Sequence, residues 1–543
     1  MTQLRAMFTV AAIVSVAFAS IATPSVAEAC GGFFCNNNQP VNQAAERVVF
    51  AYDGELIHMH IRITYQGPPS EFGWILPVPA GGTAEQEAVK AELSTEELFR
   101  VLDQQYAPVF QLNTVFPQNC QDQDFRDGAV ATAGGAEGGG EGGVRVLSRE
   151  AVGPFDRAIL AADTIDVLRA WLDENGFDIP EEMDAKLAPY VDEGRAFVVL
   201  KLLPDSDGGD IQPLRVTFLS DTASIPMRPT ALAATPDMGL IVHSLGDKRA
   251  IPIGEWRHVE INEAAIDWQS GGQNYADVVS KAVDEAGGHA FATDYAGDTS
   301  ALEGQIGRLG EAILERVRGA ELPLDVLQIF AGSQDADVIR VLDAELDLPE
   351  DINAATFLSC LECFRNELPD GAIDGNKIAD RMEREIEEPR NQLAKFLGAK
   401  YLTRMFTTMS PSEMTADPSF DFNGDLPEVL RTRTADGFLD CDFNMYKIVT
   451  STGLVVRLEN GGNPAVIRRE AGETVTGADI RAAAVVARMP LTGAPEVIED
   501  NRRELEETFR EQDDVGCDCQ SVASSTRPSG ALGWVLRTVG ARR

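Results

Sequence analysis

The sequence predicts an α+β fold, in which an antiparallel, β-rich N-terminal part is followed by mixed segments and then by mainly helical ones. The first third contains runs in which apolar and polar residues alternate, as they do in strands. From residue 275 onward, apolar residues recur at helical spacing instead. Strands followed by helices, rather than a strict alternation of the two, favour α+β over α/β. With 44% apolar residues, the chain has ample material for a buried core.

The first 29 residues have the pattern of an export signal. Arg5 supplies a short positive region, residues 7–21 supply an apolar core, and Ala27 and Ala29 supply the small side chains that signal peptidase requires. We expect cleavage before Cys30 and a periplasmic or extracellular location. The apolar run is shorter than the roughly 20 residues that a membrane-spanning helix needs, so we expect no integral membrane span in the mature chain.

Cys30 directly follows the expected cleavage site, and this position leaves lipid attachment as an alternative. A lipoprotein signal usually has a large apolar residue three places before that cysteine. Ala27 stands there instead, and the charged Glu28 stands where a small residue is expected. We therefore favour simple cleavage and keep lipoprotein anchoring at Cys30 as the second interpretation.

Residues 30–130 are expected to form a β-rich region. Apolar side chains occupy every second position of residues 56–65, which predicts a strand with one buried and one solvated face. An Asp53-Gly54 pair separates this strand from the preceding run, and both residue types tolerate the positive φ of a two-residue hairpin turn. Residues 72–79 predict a third strand, which ends at prolines that cannot donate to a ladder.

Residues 131–146 are rich in glycine and precede a mixed α+β region at residues 147–300. Glycine runs have no side chains to bury, so we expect a linker or loop. No Lys-Ser/Thr pair follows the run and no GxGxxG motif leads into a helix, so phosphate binding is not predicted there. In the mixed region, residues 164–175 predict an amphipathic helix that ends before Gly176. Strands are predicted at residues 197–203, 214–219, 240–243 and 257–261.

Residues 301–450 are expected to be mainly helical. Two apolar stripes at helical spacing indicate this, and they consist of Ile306, Leu309, Ile313 and Val317 and of Val338, Val341, Leu342 and Leu346. Residues 451–516 are expected to form a small C-terminal region. Residues 517–543 form a Cys-x-Cys tail that we expect to be disordered, and this tail resembles the sorting tails of some exported bacterial proteins. Its apolar piece is too short to cross a bilayer, and Arg537 interrupts it.

All eight cysteines lie in the expected mature chain, and their number is even. In an exported protein this predicts a disulfide framework. Spacing does not give the connectivity, and the candidates are Cys30, Cys35, Cys120, Cys360, Cys363, Cys441, Cys517 and Cys519. Cys360 and Cys363 have redox spacing, but they lack an aromatic-Cys-Gly-Pro context and Glu362 disfavours a neighbouring thiolate. We therefore favour a structural disulfide over a thiol oxidoreductase site.

The chain is strongly acidic, with a formal net charge of -40. This charge repels polyphosphates, so nucleic acid is excluded as a partner and a basic or cation-rich partner is favoured. The sequence does not identify that partner. A protein of the cell envelope or of the extracellular space fits the expected location.

His58 and His60 are the first candidate site. They share one face of a predicted strand, about 7 Å apart, which is the spacing that lets two imidazoles reach one zinc or copper ion. A third ligand is needed, and nothing in the sequence places another histidine nearby. We therefore favour two polar residues on a solvated face, and we keep zinc binding as an alternative.

Asp421, Asn423 and Asp425 are the second candidate site, because their oxygen-bearing side chains alternate as they do in calcium loops. An EF-hand would need Gly where Leu426 stands and Glu where Thr432 stands, so that motif is excluded. We favour a plain turn, with weak calcium binding as an alternative. No cofactor is predicted. The chain also lacks the GxSxG, HExxH and Walker motifs of common hydrolases and nucleotide-binding proteins.

Seven segments form a specific combination: CGGFFC at residues 30–35, PVNQAAERVVF at 40–50, WILPVP at 74–79, VGPFD at 152–156, WLDENG at 171–176, YLTR at 401–404 and MSPSEMT at 409–415. Together they resemble a bacterial family known as domain of unknown function 2330. The resemblance lies within residues 30–430, which is most of the mature chain. It implies an exported bacterial protein with no established activity, and it supplies no catalytic residues.

The leading hypothesis is an exported binding or envelope-associated protein without catalytic activity, because no nucleophile or metal motif is complete. One alternative is an exported hydrolase that uses a metal or carboxylates, and another is a thiol-disulfide oxidoreductase at Cys360 and Cys363. The 86 Asp and Glu residues make carboxylate pairs too common to identify a hydrolase site. The sequence therefore leans against an enzyme.

We predict that the mature N-terminus is Cys30, because Ala27 and Ala29 supply the small-residue site that signal peptidase cleaves. Intact-mass measurement of the exported protein tests this prediction. A mass that includes Met1 contradicts cleavage, and an added diacylglycerol mass on Cys30 identifies the lipoprotein instead.

Overall fold

A computed structural model describes residues 42–66, 73–80, 83–115, 145–152, 155–202, 212–440, 445–459, 466–468, 474–476 and 480–509, except 178, 303, 350, 351, 370 and 397. It contains a large mixed sheet, with most helices in the second half of the chain, which confirms the α+β prediction. The signal segment, most of the glycine-rich stretch and the Cys-x-Cys tail lie outside the described residues. No helix among the described residues is long and apolar enough to cross a membrane.

The strands of the first half are β1 Asn42–Asp53, β2 Leu56–Gln66, β3 Gly73–Val78, β4 Lys90–Leu93, β5 Val109–Val115, β6 Arg145–Val152, β7 Phe155–Ala161, β8 Ala196–Leu202, β9 Leu214–Leu219, β10 Ala223–Ser224, β11 Ala234–Gly246, β12 Ala250–Ile253 and β13 Arg257–Ile261. The later strands are β14 Ala290–Asp298, β15 Tyr401–Met409, β16 Ser419–Phe422, β17 Thr432–Asp440, β18 Met445–Thr450, β19 Val455–Glu459, β20 Val466–Arg468, β21 Thr474–Thr476, β22 Ala483–Arg488 and β23 Glu496–Asp500.

The helices are α1 Thr83–Ala88, α2 Glu96–Tyr106, α3 Ile165–Glu174, α4 Glu182–Asp192, α5 Met227–Thr230, α6 Tyr275–Glu285, α7 Glu311–Arg318, α8 Pro323–Ile329, α9 Ala336–Glu345, α10 Ala354–Ser359, α11 Leu361–Phe364, α12 Gly375–Met382, α13 Glu388–Leu393 and α14 Arg502–Thr508. Short 3₁₀ turns lie at Glu263–Ala265 and Arg365–Glu367, and a π-helical turn, Glu383–Glu387, joins α12 to α13.

Ten strands form the central sheet, in the order β23-β22-β13-β14-β15-β11-β1-β2-β9-β4. Most neighbours are antiparallel, whereas β1 with β11 and β13 with β14 are parallel. A second sheet has the order β3-β8-β7-β6, and a third has the order β19-β18-β17-β5. The strands β10, β16 and β12 form a small sheet, and β20 pairs with β21.

β1 and β2 form the predicted hairpin, but its turn lies one position later than predicted. Asp53 pairs with Leu56 in the ladder, so Gly54 and Glu55 make the turn. Gly54 has a φ of 64°, in the left-handed region that glycine adopts without strain. The assignment of Asp53 to the turn is therefore wrong, because the ladder extends through it.

The helix predicted at residues 164–175 is present as α3. The hydroxyl of Thr164 caps it by accepting from the backbone N–H of Val167 at 3.3 Å. Gly176 follows the helix with a φ of 67°, as the C-terminal stop signal predicts. The strands predicted within residues 72–79, 197–203, 214–219, 240–243 and 257–261 are present as β3, β8, β9, β11 and β13.

Other elements cover both faces of the central sheet. On one face, β3, β7 and β8 pack against β1, β2 and β9, and α3 and α4 cover the far side of that second sheet. On the other face, α2 packs against β1 and β11 together with Leu393 and Phe396. The prediction that β2 has one solvated face is therefore wrong. Both faces are buried, because elements distant in sequence fold over them.

The helices α7 to α12 pack around an apolar cluster of their own, which includes the predicted stripe on α9. The other predicted stripe is only partly helical, because α7 begins at Glu311, after Gly310. Helices were expected up to residue 450, but the last helix of this region ends at Leu393. Strands resume at Tyr401, and β15 lies in the middle of the central sheet.

A buried ion pair joins the helical region to α2, which packs on the central sheet. The Arg390 side chain is 1% exposed, and its guanidinium donates to both carboxylate oxygens of Asp335 at 2.7 Å and to Asp337 at 2.6 Å. Asp337 also accepts from the backbone N–H of Glu96 at 2.8 Å and from the hydroxyl of Thr95. These groups form the N-terminus of α2, where unpaired backbone donors attract a carboxylate. Asp337 therefore ties α2, α9 and α13 together.

We predict that Asp337→Ala lowers the free energy of unfolding by about 3 kcal/mol, because it removes one partner of a buried pair and leaves the helix N-terminus uncompensated. Lys400→Ala is the control. Its pair with Asp247, at 3.0 Å, is 80% and 73% exposed and should contribute nothing measurable. Denaturant titration measures both variants, and equal stabilities would contradict the role assigned to Asp337.

Candidate functional site

A row of polar side chains crosses the interior of the central sheet. Arg215 on β9 pairs with His60 on β2, and His60 pairs with Val49 on β1. On the other side, Val49 pairs with His243 on β11, which pairs with Arg404 on β15. All four polar residues are buried. We call Arg215, His60, His243 and Arg404 the polar row, and one register line of the sheet contains all four, with Val49 between the two histidines.

His58 and His60 are buried, so their assignment to a solvated face is wrong. Helix α2 and Phe396 cover the face on which they lie, and the centroids of the tilted His58 and Phe396 rings are 4.3 Å apart. The Nδ1 atom of His58 lies 2.9 Å from the hydroxyl of Thr217, and that of His60 lies 2.6 Å from the hydroxyl of Ser94. Both Nε2 atoms are buried and have no hydrogen-bond partner among the described residues.

The buried histidines are neutral at pH 7. Burial, together with the nearby guanidinium of Arg215, lowers the pKa of His58 to about 4 and holds the pKa of His60 well below its usual value. Burial and the guanidinium of Arg404 also lower the pKa of His243. Neutral imidazoles with an oriented Nδ1 can ligate metals, but the positive charge of Arg215 opposes a cation beside them.

The structure does not assemble a third ligand beside His58 and His60. His243 lies on the far side of β1, and His258 bonds instead to the hydroxyl of Thr293 at 2.9 Å. Within the described ranges, no group of three or more His, Cys, Asp or Glu residues is placed to hold a metal ion.

A further buried group, which no motif in the sequence marks, lies next to the polar row. Asp294 is fully buried and accepts from the hydroxyl of Tyr275 and from the guanidinium of Arg404. Asp294 is the extra residue of a bulge in β14, because the ladder with β15 shifts between Thr293 and Tyr295. A bulge re-aims a side chain, and it depends on a partner strand more than a hundred residues away. The alternation of residues along β14 gives no signal of it.

The oxygen-rich turn at Asp421, Asn423 and Asp425 anchors a distant loop. The Asn423 amide donates to the carbonyl oxygens of Pro490 at 2.7 Å and Gly493 at 3.0 Å. Asp425 accepts from the backbone N–H of Gly493 at 2.8 Å, and its own N–H donates to Asn423 at 2.8 Å. Asp421 accepts from the next backbone N–H. Each of the three residues proposed for calcium thus uses a side-chain oxygen to accept a hydrogen bond within the protein.

The loop anchored by this turn belongs to the edge hairpin, residues 483–500, which comprises β22, β23 and their connection. β23 is an end strand of the central sheet, and all five of its residues are exposed. Val497 is 52% exposed, Ile498 is 44% exposed, and Leu491 in the loop is 55% exposed. Ile498 is the extra residue of a bulge, because the ladder with β22 skips it. Exposed aliphatic side chains on an open sheet edge are typical of a surface that binds another chain.

Cys360 and Cys363 form a disulfide, with Cα atoms 5.3 Å apart. They lie at the junction of α10 and α11, where Cys363 is exposed and Cys360 is half-buried. The remaining candidates, Cys30, Cys35, Cys120, Cys441, Cys517 and Cys519, lie outside the described residues. Their pairing stays a prediction.

A family model described as an uncharacterised protein conserved in bacteria, DUF2330, matches residues 24–420. The match is more than half of the chain and includes β1 to β15 and the polar row. It ends before the edge hairpin. No curated protein and no solved structure matches the chain.

We predict that stability falls as the pH drops below about 6.5, the usual pKa of histidine. The pKa of His58 is lowered to about 4 and that of His258 to about 3, so the unfolded state takes up protons first. The contribution of these neutral histidines to the free energy of unfolding is complete above pH 6.5. It is lost as the pH falls from 6.5 to about 4 for His58 and to about 3 for His258. Each buried histidine contributes up to about 1.4 kcal/mol per pH unit.

Denaturant titrations at pH 7, 6 and 5 measure this loss. His243→Leu removes one of the buried imidazoles, so it should reduce the slope between pH 6 and pH 5. A slope that is the same in this variant and in the parent protein would argue against a neutral, buried His243.

Proposed function

The chain belongs to the bacterial DUF2330 family, and from this starting point we propose that it is an exported, non-catalytic binding protein of the cell envelope or the extracellular space. The family is described as uncharacterised, so it supplies no activity that could be transferred. The proposal rests on the residues of this chain and on their surroundings.

The burial of the polar row carries the proposal. A general acid or base must come within hydrogen-bonding distance of a substrate proton. His60 and His243 are each 1% exposed and lie under α2 and its apolar neighbours. Asp294, which accepts from Tyr275 and Arg404, is also inaccessible to solvent. These side chains support a structural role, whereas the exposed aliphatic residues of the edge hairpin support a role in binding.

The N-terminal sequence supports the exported location, and the net charge supports a basic partner. Residues 1–29 have the pattern of an export signal, and the net charge of -40 disfavours anionic polymers as partners. This negative charge favours a basic partner instead. The exported location is the part of the proposal that mass measurement of the mature chain tests directly.

A metal-dependent hydrolase at His58 and His60 is the second candidate. The observation that favours it is that both Nδ1 atoms are fixed by hydroxyls while both Nε2 atoms have no partner among the described residues. This is the arrangement in which a protein orients imidazole ligands. The neighbouring guanidinium of Arg215 weighs against it.

We predict that the purified protein turns over no ester, peptide or phosphate substrate, and that His58→Ala/His60→Ala changes neither this result nor the metal content. Elemental analysis and activity assays before and after dialysis against zinc test the prediction. Stoichiometric zinc or copper that the double variant loses would replace the binding role with the metal-dependent one. Two free thiols at Cys360 and Cys363 after mild reduction, together with exchange with a disulfide substrate, would favour the oxidoreductase.

A further inference from the structure

The two end strands of the central sheet differ in how they meet solvent. β4 alternates between exposed and buried positions, and its exposed positions are Lys90 and Glu92. These two exposed charges have opposite signs, so β4 favours no single type of partner strand. β23 has no buried residue, and two adjacent aliphatic side chains, Val497 and Ile498, are exposed in it. Its outer backbone groups pair with no other strand among the described residues.

The edge hairpin is held in place from both ends. Asn423 and Asp425 fix its loop through three hydrogen bonds to Pro490 and Gly493. Beyond β23, Asn501 donates from its side chain to the carbonyl of Ala483 at 3.1 Å and from its backbone to that of Ala484 at 2.9 Å. A strand that is already ordered loses little conformational entropy when another chain pairs with it. β23 is therefore already ordered on both sides of the bulge at Ile498, where it pairs with β22.

The charges of β23 select the type of strand that pairs with it. Among the described residues, its carboxylates form exposed ion pairs, and these are Glu496 with Arg488 at 3.6 Å, Glu499 with Arg481 at 3.8 Å, and Asp500 with Arg502 at 2.6 Å. The first two pairs are long and weak, so Glu496 and Glu499 exchange partners readily, whereas the pair of Asp500 with Arg502 is bidentate. Lysine or arginine side chains on an incoming strand would find three carboxylates along five residues.

The same charges act against pairing with a second copy of this chain. Two β23 strands that paired antiparallel about Ile498 would place Glu496 of one copy opposite Asp500 of the other. Like charges directly opposite each other destabilise a ladder. The net charge of -40 on each copy adds to the repulsion.

We infer that β23 binds an extended peptide segment of a partner protein by strand addition, and that this segment alternates basic and aliphatic side chains. The backbone of the peptide continues the ladder, its aliphatic side chains pack on Val497 and Ile498, and its basic side chains pair with Glu496, Glu499 and Asp500. This inference rests on the proposed binding function and names the chemistry of the partner. The edge hairpin lies beyond residues 24–420, so this binding surface belongs to the part of the chain outside the family match.

Fluorescence anisotropy with the purified full chain tests the inference. The probe is a labelled seven-residue peptide of alternating lysine and valine. Its controls are the same peptide with the central valine replaced by proline, which cannot continue a ladder, and a peptide of alternating glutamate and valine. The lysine peptide should bind saturably, at least tenfold more tightly than either control, and more weakly as salt is added.

Variants of exposed residues locate the binding site without disturbing the core. Val497→Ser/Ile498→Ser should weaken binding at least tenfold, whereas Leu430→Ser, at a residue that is 72% exposed elsewhere, should leave it unchanged. Glu496→Lys/Glu499→Lys should transfer the preference to the glutamate peptide. Thermal unfolding shows whether each variant is folded, and amide hydrogen exchange should slow at residues 496–500 when the lysine peptide is bound.

Besides absence of peptide binding, three results would overturn the inference. One is equal binding of the proline peptide, the second is protection of amides outside residues 496–500, and the third is a dimer that Val497→Ser/Ile498→Ser dissociates. The proposed function fails separately: substrate turnover refutes the non-catalytic role whatever the peptide titration gives. Absence of peptide binding in a protein that also lacks turnover refutes only the assignment of β23.

Discussion

The ion pair between Arg390 and Asp337 positions α2, and the environment of the histidines depends on α2. Asp337 binds the N-terminus of that helix from a position 242 residues away in sequence, and the apolar face of the helix then covers β1 and β11. Removal of this cover would expose His58 and His60 to water, and their pKa values would rise toward the usual value of histidine. A contact in the helical region thus determines the protonation of residues in the sheet. The neutral state of the buried histidines is a consequence of long-range packing and not of the strands that carry them.

Local structure follows closely from the sequence, because local signals act over a few residues. Thr164 and Gly176 mark the two ends of α3, and glycine at position 54 supplies the left-handed residue of the first hairpin. The alternation along β2 identifies the strand correctly. It does not identify which face is buried, because α2 covers the polar face and comes from a different part of the chain. The same limit applies to β15, which the sequence places in a helical region and the fold places at the centre of the sheet.

The candidate site could be predicted only in part for the same reason. The spacing of Asn423 and Asp425 indicates an oxygen-rich turn, but its partners, Pro490 and Gly493, are about seventy residues away. Asp294 depends on a bulge that the partner strand creates, and no residue type in β14 signals it. The exposure of Val497 and Ile498 depends on β23 being the last strand in the sheet order. Each of these features is a property of the assembled sheet.

The position of β15 between β14 and β11 has a consequence for synthesis of the protein. The ribosome completes β11 and β14 well before it reaches residues 401–409, because the whole helical region intervenes. During that interval both strands have an open edge, and pairing between distant segments is slow to form. Open edges of apolar strands are where newly made chains associate wrongly. The central sheet can therefore close between β11 and β14 only after residues 401–409 have been made.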